Sequence, residues 1–272
     1  MKKIITTLAV LGAMSSASAF AAGCLPNVTS KLSDAAKFAT AQTTGGYGLN
    51  MWVTYVDETG KVCSVVTTGT SGANAGNSAW LGSRVISAQK ANTANDFSLD
   101  GYAISTANLY SAVQPGGSLF GLQLSNPVDP ALAYSSSVAV PQYGTAKDPL
   151  VGKRIGGVNV FGGGLALYSA GKKIGAIGVS GDTSCRDHAF AWNVRSNLQL
   201  QPSSSTAGIT TSNMDFNGNA QKAEGATVGD EMIINNTGGN SSYWTAWSQP
   251  ACPNSLNFGG AANGTIILNA PK

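Results

Sequence analysis

Gly175-Ala176-Ile177-Gly178-Val179-Ser180-Gly181-Asp182-Thr183-Ser184 is the stretch that decides the fold. An apolar run from Lys173 to Val179 has strand length and composition, and Ser180-Gly181 punctuates it. Asp182, Thr183 or Ser184 can then cap a helix that continues to about Leu198. Upstream, Leu165 to Tyr168 is a second apolar piece, and the Ser169-Ala170-Gly171 turn makes the two an antiparallel pair. A hairpin that runs straight into a helix is therefore the centre of the reading.

Working outward, Leu49, Met51, Val53 and Tyr55 alternate before the turn Asp57-Glu58-Thr59-Gly60, and Lys61 to Thr67 returns as a second hairpin strand. Leu32, Ala35, Ala36 and Ala39 recur at helical spacing over Ser30 to Gln42, with Gly45-Gly46 as the stop. Leu81, Val85, Ile86, Ala88 and Ala91 predict an amphipathic helix from Ser78, its cap, to about Asn95. A further helix is expected over Ser105 to Val113, and strands over Ser118 to Leu124 and Ile155 to Phe161. The stretch from Ser125 to Pro149 reads as a long loop of the kind that often covers a site. Hairpins stand where a doubly wound fold needs crossovers, so the order argues α+β, an antiparallel sheet carrying helices on one face. Residues 200–272, rich in Ser, Asn and Gly, read as an irregular extension wrapped on the same domain.

The first 22 residues stand apart. Lys2 and Lys3, the apolar run Ile4 to Gly12, and Ala17-Ser18-Ala19 or Ala19-Phe20-Ala21 describe a secretory signal peptide of bacterial type, which places the domain, from residue 23, in the periplasm or outside the cell. The apolar run is too short for a membrane span of about 20 residues. Only 11% of the 272 residues are charged, against about 25% in ordinary domains. Removing Lys2 and Lys3 lowers the formal charge from +3 to +1. Without clustered Lys and Arg, nucleic acid is excluded as a partner.

Cys24, Cys63, Cys185 and Cys252 are even in number, lack any Cys-x-x-Cys spacing, and suit disulfides in an oxidising compartment. Three pairings are open; placement favours Cys24–Cys63 and Cys185–Cys252. At 3.6 residues per turn, Phe190, Ala191, Val194 and Leu198 line one face of the last helix, while Cys185, His188, Trp192 and Arg195 line another. A Cys185–Cys252 bridge would lay the segment Tyr243 to Trp247 over Trp192 and His188. Lipidation of Cys24 is the competing fate of that thiol.

Catalysis finds little support. His188 is the sole histidine; Gly178-Val179-Ser180-Gly181 is not a nucleophile elbow, and Asp182, Cys185, Asp187 and His188 lack a ligand-spaced partner for zinc. Gly156-Gly157 and Gly162 to Gly164 match no phosphate-binding motif and read as turns.

Two segments resemble the GlcG/HbpS family, whose domain also ends PduO-type proteins. Lys90-Ala91-Asn92-Thr93-Ala94 resembles the family's Lys-Ala-x-Thr-Ala helix. Gly163-Gly164-Leu165-Ala166-Leu167 with Gly175-Ala176-Ile177-Gly178-Val179-Ser180-Gly181 resembles its Gly-Gly-x-Pro-Ile and Gly-Ala-Ile-Gly-Val-Ser-Gly pair. The resemblance covers residues 30–198. It implies an about five-stranded antiparallel sheet flanked by helices in a profilin/PAS-like layout, a homo-oligomer, and non-covalent haem. On that reading His188, Tyr143 or Tyr168 approaches iron. The helix N-terminus at Asp182 to Cys185 offers free N–H groups to a propionate, with Ser180 and Gly181 beside it as further binding candidates, and Arg84, Lys90, Lys153 and Arg154 are further anion partners. The implied function is sequestration, storage or sensing of haem without catalysis. The alternatives are an exported interaction protein without cofactor and an accessory enzyme of small organic acids.

Overall fold

The computed structural model describes residues 23–43, 45–69, 77, 79–80, 82–134, 142–211, 213–214, 220–221, 228–235, 247–250, 252 and 266–268. The leader lies outside them, as do Ser78 and residues 243–246. The chain opens with α1 (Val28–Gln42), the hairpin β1 (Trp52–Asp57) and β2 (Val62–Thr67), and α2 (Ser83–Phe97). Next come the short β3 (Tyr102–Ala103), two 3-10 turns, and the one-turn helices α3 (Leu122–Ser125) and α4 (Pro130–Ala133). The deciding stretch forms β4 (Gly164–Ser169), β5 (Lys172–Ser180) and α5 (Ser184–Leu198). The extension holds β6 (Ala207–Gly208), β7 (Asn213–Met214), β8 (Ala220–Gln221), β9 (Met232–Asn235), β10 (Gln249–Pro250) and β11 (Ile266–Leu268).

The main sheet has the order β2-β1-β5-β4 and is antiparallel throughout, so the α+β class holds. Its residues alternate between two apolar layers. Val53, Tyr55, Leu165, Leu167, Ile177 and Val179 face α1 and α5, meeting Leu32, Ala36, Phe190 and Val194. Trp52, Val56, Val65 and Ala176 face α2, meeting Val85, Ala88 and Ala91. Helices on both faces replace the single helical face expected, which explains why all six residues of β1 are buried. Close approach requires glycine: a Cβ on Gly178 would stand 1.9 Å from the Ser87 carbonyl oxygen. Thr54 and Ser87 share a hydroxyl hydrogen bond of 2.7 Å across the same contact.

Three expected elements are absent for local reasons. Residues 105–113 form 3-10 turns because Thr106, Asn108 and Ser111 spend their side chains on other segments. Thr106 bonds Phe161 and Gly164, Asn108 bonds Glu231 and Ile233, and Ser111 bonds Ser248. Residues 118–124 turn at Gly121 into α3 instead of extending. Residues 155–161 are irregular because Gly156 and Gly157 take left-handed φ of 63° and 86°, leaving one bridge, Val128 to Gly156. The long loop closes over α2 through Ala133 and Leu150, and Asp129 caps α4.

Helix α2 begins at Ser83 after Gly82, with no side-chain cap. For α5, Thr183 is the cap among the three candidates, its hydroxyl accepting from the Arg186 amide at 3.3 Å. Both favoured disulfides are present, with Cα separations of 5.4 Å for Cys24–Cys63 and 6.0 Å for Cys185–Cys252. A sulfur so bonded is closed to a thioether-linked lipid. Each bridge removes about 4 kcal/mol of loop-closure entropy from the unfolded chain on a simple loop model.

Candidate functional site

The end of β5 and the start of α5 gather most of the residues singled out in the sequence. Lys90 runs under β5, where its ammonium donates to the Val179 carbonyl at 3.0 Å and to Asp187 Oδ2 at 2.8 Å. Burial lowers the Lys90 pKa against the pull of Asp187, and pushes Asp187 up to about 6 against the pull of Lys90. Asp187 also accepts from the Asp182 amide at 2.9 Å. Asp182 accepts in turn from the amides of Tyr47, Leu49 and Thr183. The chain's own carboxylates thus stand where a propionate was expected. Ser180 is buried, and the Gly181 carbonyl accepts from Asn77.

The second face of α5 is covered, as its composition demanded. Arg195 donates to Asp230 through both terminal nitrogens, at 2.5 and 2.9 Å, and to the Ala166 carbonyl at 3.1 Å. Its guanidinium lies 4.9 Å from the Trp192 ring. Cys185 packs with Ala107, Met232, Ile234 and the half-buried Cys252. Of the segment expected as cover only Trp247 is among the described residues, and it packs beside Leu109, Val113 and Val160, while β9 supplies Met232. Met232 and His188 crowd the same point, since a Cβ on Gly162 would stand 2.4 Å from the methionine methyl and 3.1 Å from His188 Cβ.

Within this cover His188 is fully buried, and neither ring nitrogen has a hydrogen-bond partner among the described residues. Burial, aided by the nearby Arg195 and Lys90 charges, pushes its pKa down to about 3. The ring is therefore neutral, and its lone pair is uncommitted. The Trp192 ring lies 6.2 Å away between centroids.

Arg84 and Tyr143 stand in a different contact set. The Arg84 guanidinium lies 4.1 Å from the Tyr143 ring and pairs with Asp148, whose oxygens also accept from the Gly144 and Leu150 amides. This set fastens the long loop to α2. Tyr168 donates to the Leu99 carbonyl at 3.0 Å, Arg154 bonds Thr59, and the Lys153 carbonyl accepts from Val62. Two cavities lie away from His188. One, of about 390 Å³, is lined by Ser33, Lys37, Thr40, Thr67 and Thr68; the other, of about 150 Å³, by Leu25, Val28, Leu32, Tyr55 and Leu198.

Sequence reasoning named Asp187 only among possible zinc ligands, and it missed the acidic partners Asp148 and Asp230 and the cover residue Met232. A signal existed for the last two: Asp230-Glu231 before Met232-Ile233-Ile234 is a charged, then apolar, island in a Ser/Gly/Asn-rich tail. Glu231 is buried there, accepting from Thr210, Val228 and Gly229.

The sequence model of the family described as haem degrading protein HbpS-like matches residues 30–195, from α1 into α5. The chain belongs to the HbpS-like family. Its match to this family ends at Arg195, so β6 to β11 lie beyond it. One curated relative, an uncharacterised 15.0 kDa protein of the Citrobacter freundii dhaT–dhaS intergenic region, is 37% identical over 86 residues. Those residues are 32% of this chain and 41% of that protein's length. Solved structures similar to this HbpS-like chain include a PduOC–haem complex, with a TM-score of 0.43, 22% identity, and coverage of 65% of this chain and 97% of that one. Klebsiella pneumoniae ORFY follows at 0.40, 22%, 63% and 88%. A Streptomyces reticuli HbpS double mutant follows at 0.39, 16%, 72% and 99%. No helix of the described residues is long and apolar enough to cross a membrane.

Proposed function

We propose that this HbpS-like chain is an exported haem-binding protein that sequesters, stores or senses haem, with His188 as the iron ligand. The observation that carries the reading is the state of His188: neutral, buried, and with both ring nitrogens uncommitted. A buried polar group without a partner costs about 1–3 kcal/mol, so its retention is accounted for by a role outside stability. An imidazole nitrogen is also the common protein ligand of haem iron. Family membership over residues 30–195 supports the ligand class.

The residues fit the group in chemistry. Bound haem would supply an iron centre, and His188 is the residue that would hold it through an imidazole nitrogen. Lys90 and Arg195, the cations that act on His188, are already paired with Asp187 and Asp230, so a carboxylate on such a ligand would have to share them with those partners. Arg84 and Tyr143 serve the loop, and Ser180, Gly181 and Asp182 shape the turn that sets α5 in place. Export is supported by the Lys2-Lys3 leader pattern and by two disulfides. The proposed domain plan is a leader over 1–22, the family domain over 23–199 and the extension over 200–272; homo-oligomerisation completes the reading.

Titration of the purified protein with haemin, disulfides intact and after reduction, tests the reading. The expected result is a shifted Soret band in at least one state, and binding at least tenfold weaker in His188→Ala. No shift in either state would overturn haem binding, and unchanged binding in His188→Ala would overturn the ligand. Adding ascorbate and oxygen to the loaded protein addresses catalysis: a stable Soret band supports storage or sensing, whereas steady bleaching with product release makes the protein an enzyme of the kind its family's name describes.

A further inference from the structure

Along α5 the residues Cys185, His188, Trp192 and Arg195 form one stripe, about 15 Å long at 1.5 Å per residue. Each end of that stripe is fastened to the extension. Cys185 is bonded to Cys252 at the N-terminal end, and Arg195 is paired with Asp230 at the other. Met232 lies between the fastenings, against Gly162 and His188. Two lighter contacts follow the same path: Gln249 Nε2 donates to Ser184 Oγ at 2.9 Å, and Ser111 bonds Ser248. His188 bonds neither the scaffold nor the cover, so removing the cover would cost the imidazole no hydrogen bond.

We infer that the extension residues Asp230–Ile234, with Ser248–Pro250 and Cys252, are a redox-released strap over His188, opened by a dithiol reductant. For its purpose this rests on the reading of His188 as the iron ligand; for its geometry it does not. The two sulfurs differ in access, because Cys185 is buried whereas Cys252 is half-buried. A reductant thiolate attacks Cys252 Sγ, forming a mixed disulfide, and Cys185 leaves as a thiolate that takes up a proton. The second thiol of the reductant then attacks its own sulfur in the mixed disulfide. Cys252 is released as a thiol and the reductant departs as a disulfide, so two electrons and two protons pass to the protein. The ion pair at Asp230 remains as the second clasp, which makes release graded: the covalent fastening must go first, and weakening the ion pair completes the opening.

Carbethoxylation with diethylpyrocarbonate, read by peptide mass spectrometry, reports on one imidazole because His188 is the sole histidine in the chain. The full chain is compared with its Cys252→Ala, Asp230→Asn and doubly substituted forms, all without haem. His188 is expected to be protected in the parent, to label at least tenfold faster in Cys252→Ala, and fastest in the double variant. Equal labelling of the parent and Cys252→Ala would overturn the strap. Hydrogen exchange separates local release from unfolding: amides of β9 and β10 should lose protection in Cys252→Ala while those of β1, β5 and α2 keep theirs. Loss of protection everywhere at once would also overturn it, since the extension would then not be a separable unit. A working strap in a protein that ignores haemin would leave this inference standing and remove the haem reading.

Discussion

The two faces of α5 are held by different physics. Phe190, Ala191 and Val194 press into the layer that contains Val53, Ile177 and Leu32, where apolar burial is distributed over many side chains and no bond is individually decisive. Cys185, His188 and Arg195 lie under the extension, where one covalent bond and one buried ion pair hold the cover and the residue between them has no polar partner. A distributed core gives way only when the domain unfolds. A cover held at two points opens where those points are cut. The difference assigns the first face to stability and the second to control of access.

The largest blow to this comparison should come from the inner face. Phe190→Ala removes a ring with almost no exposure from the layer between α5 and the sheet, and should cost about 4 kcal/mol. Urea unfolding followed by far-UV circular dichroism should show one cooperative transition moved to lower denaturant. A cost below about 1 kcal/mol would mean that this face is not part of the main core. Asp230→Ala should cost less, about 3 kcal/mol, because it strands the Arg195 charge in a buried place. Its loss should appear chiefly as faster hydrogen exchange in β9. Exchange that accelerates equally in β5 would show the two faces to be one cooperative unit.

Much of the inner face was legible in the sequence, and much of the outer face was not, for a physical reason. Leu165, Leu167, Ile177, Val179, Phe190 and Val194 announce themselves by periodicity, because a core that buries apolar area repeats with its elements. The stripe from Cys185 to Arg195 was legible as a face needing a cover, and the bridge to Cys252 followed from it. Its contents were not: Met232 and Asp230 come from a tail without periodicity, and pairing between buried charges leaves no repeat. The same limit explains Lys90. Its motif marked it, yet the partner Asp187, on another element, turns it from a free cation into half of a buried pair. The 3-10 turns at Thr106 to Val113 were missed because their side chains bond the extension, Phe161 before β4 and Gly164 at its start, contacts that propensity does not register.

The smallest expected effect bears on the meaning of the outer face. In the folded chain His188 is held neutral, with its pKa down to about 3, while the unfolded chain has an ordinary imidazole near 6.5. The unfolded state therefore takes up a proton as pH falls below about 6.5 and the folded state does not. His188 then contributes a loss of up to about 1.4 kcal/mol per pH unit until its folded pKa is reached. Leucine has neither the proton nor the two unpartnered nitrogens. His188→Leu should be more stable than the parent by about 1–3 kcal/mol at pH 7, and the gap should widen by about 2 kcal/mol at pH 5. Asp187, raised to about 6, acts in the opposite sense by taking its proton first in the folded state, but it is present in both chains and largely drops out of the difference. Urea midpoints at pH 7, 6 and 5 measure the gap. A gap that stays constant would mean that the imidazole reaches water through the cover and that the strap does not seal it. A gap that widens would show that the chain gives up stability to keep one neutral nitrogen donor under a fastened cover, which is what a gated ligand requires.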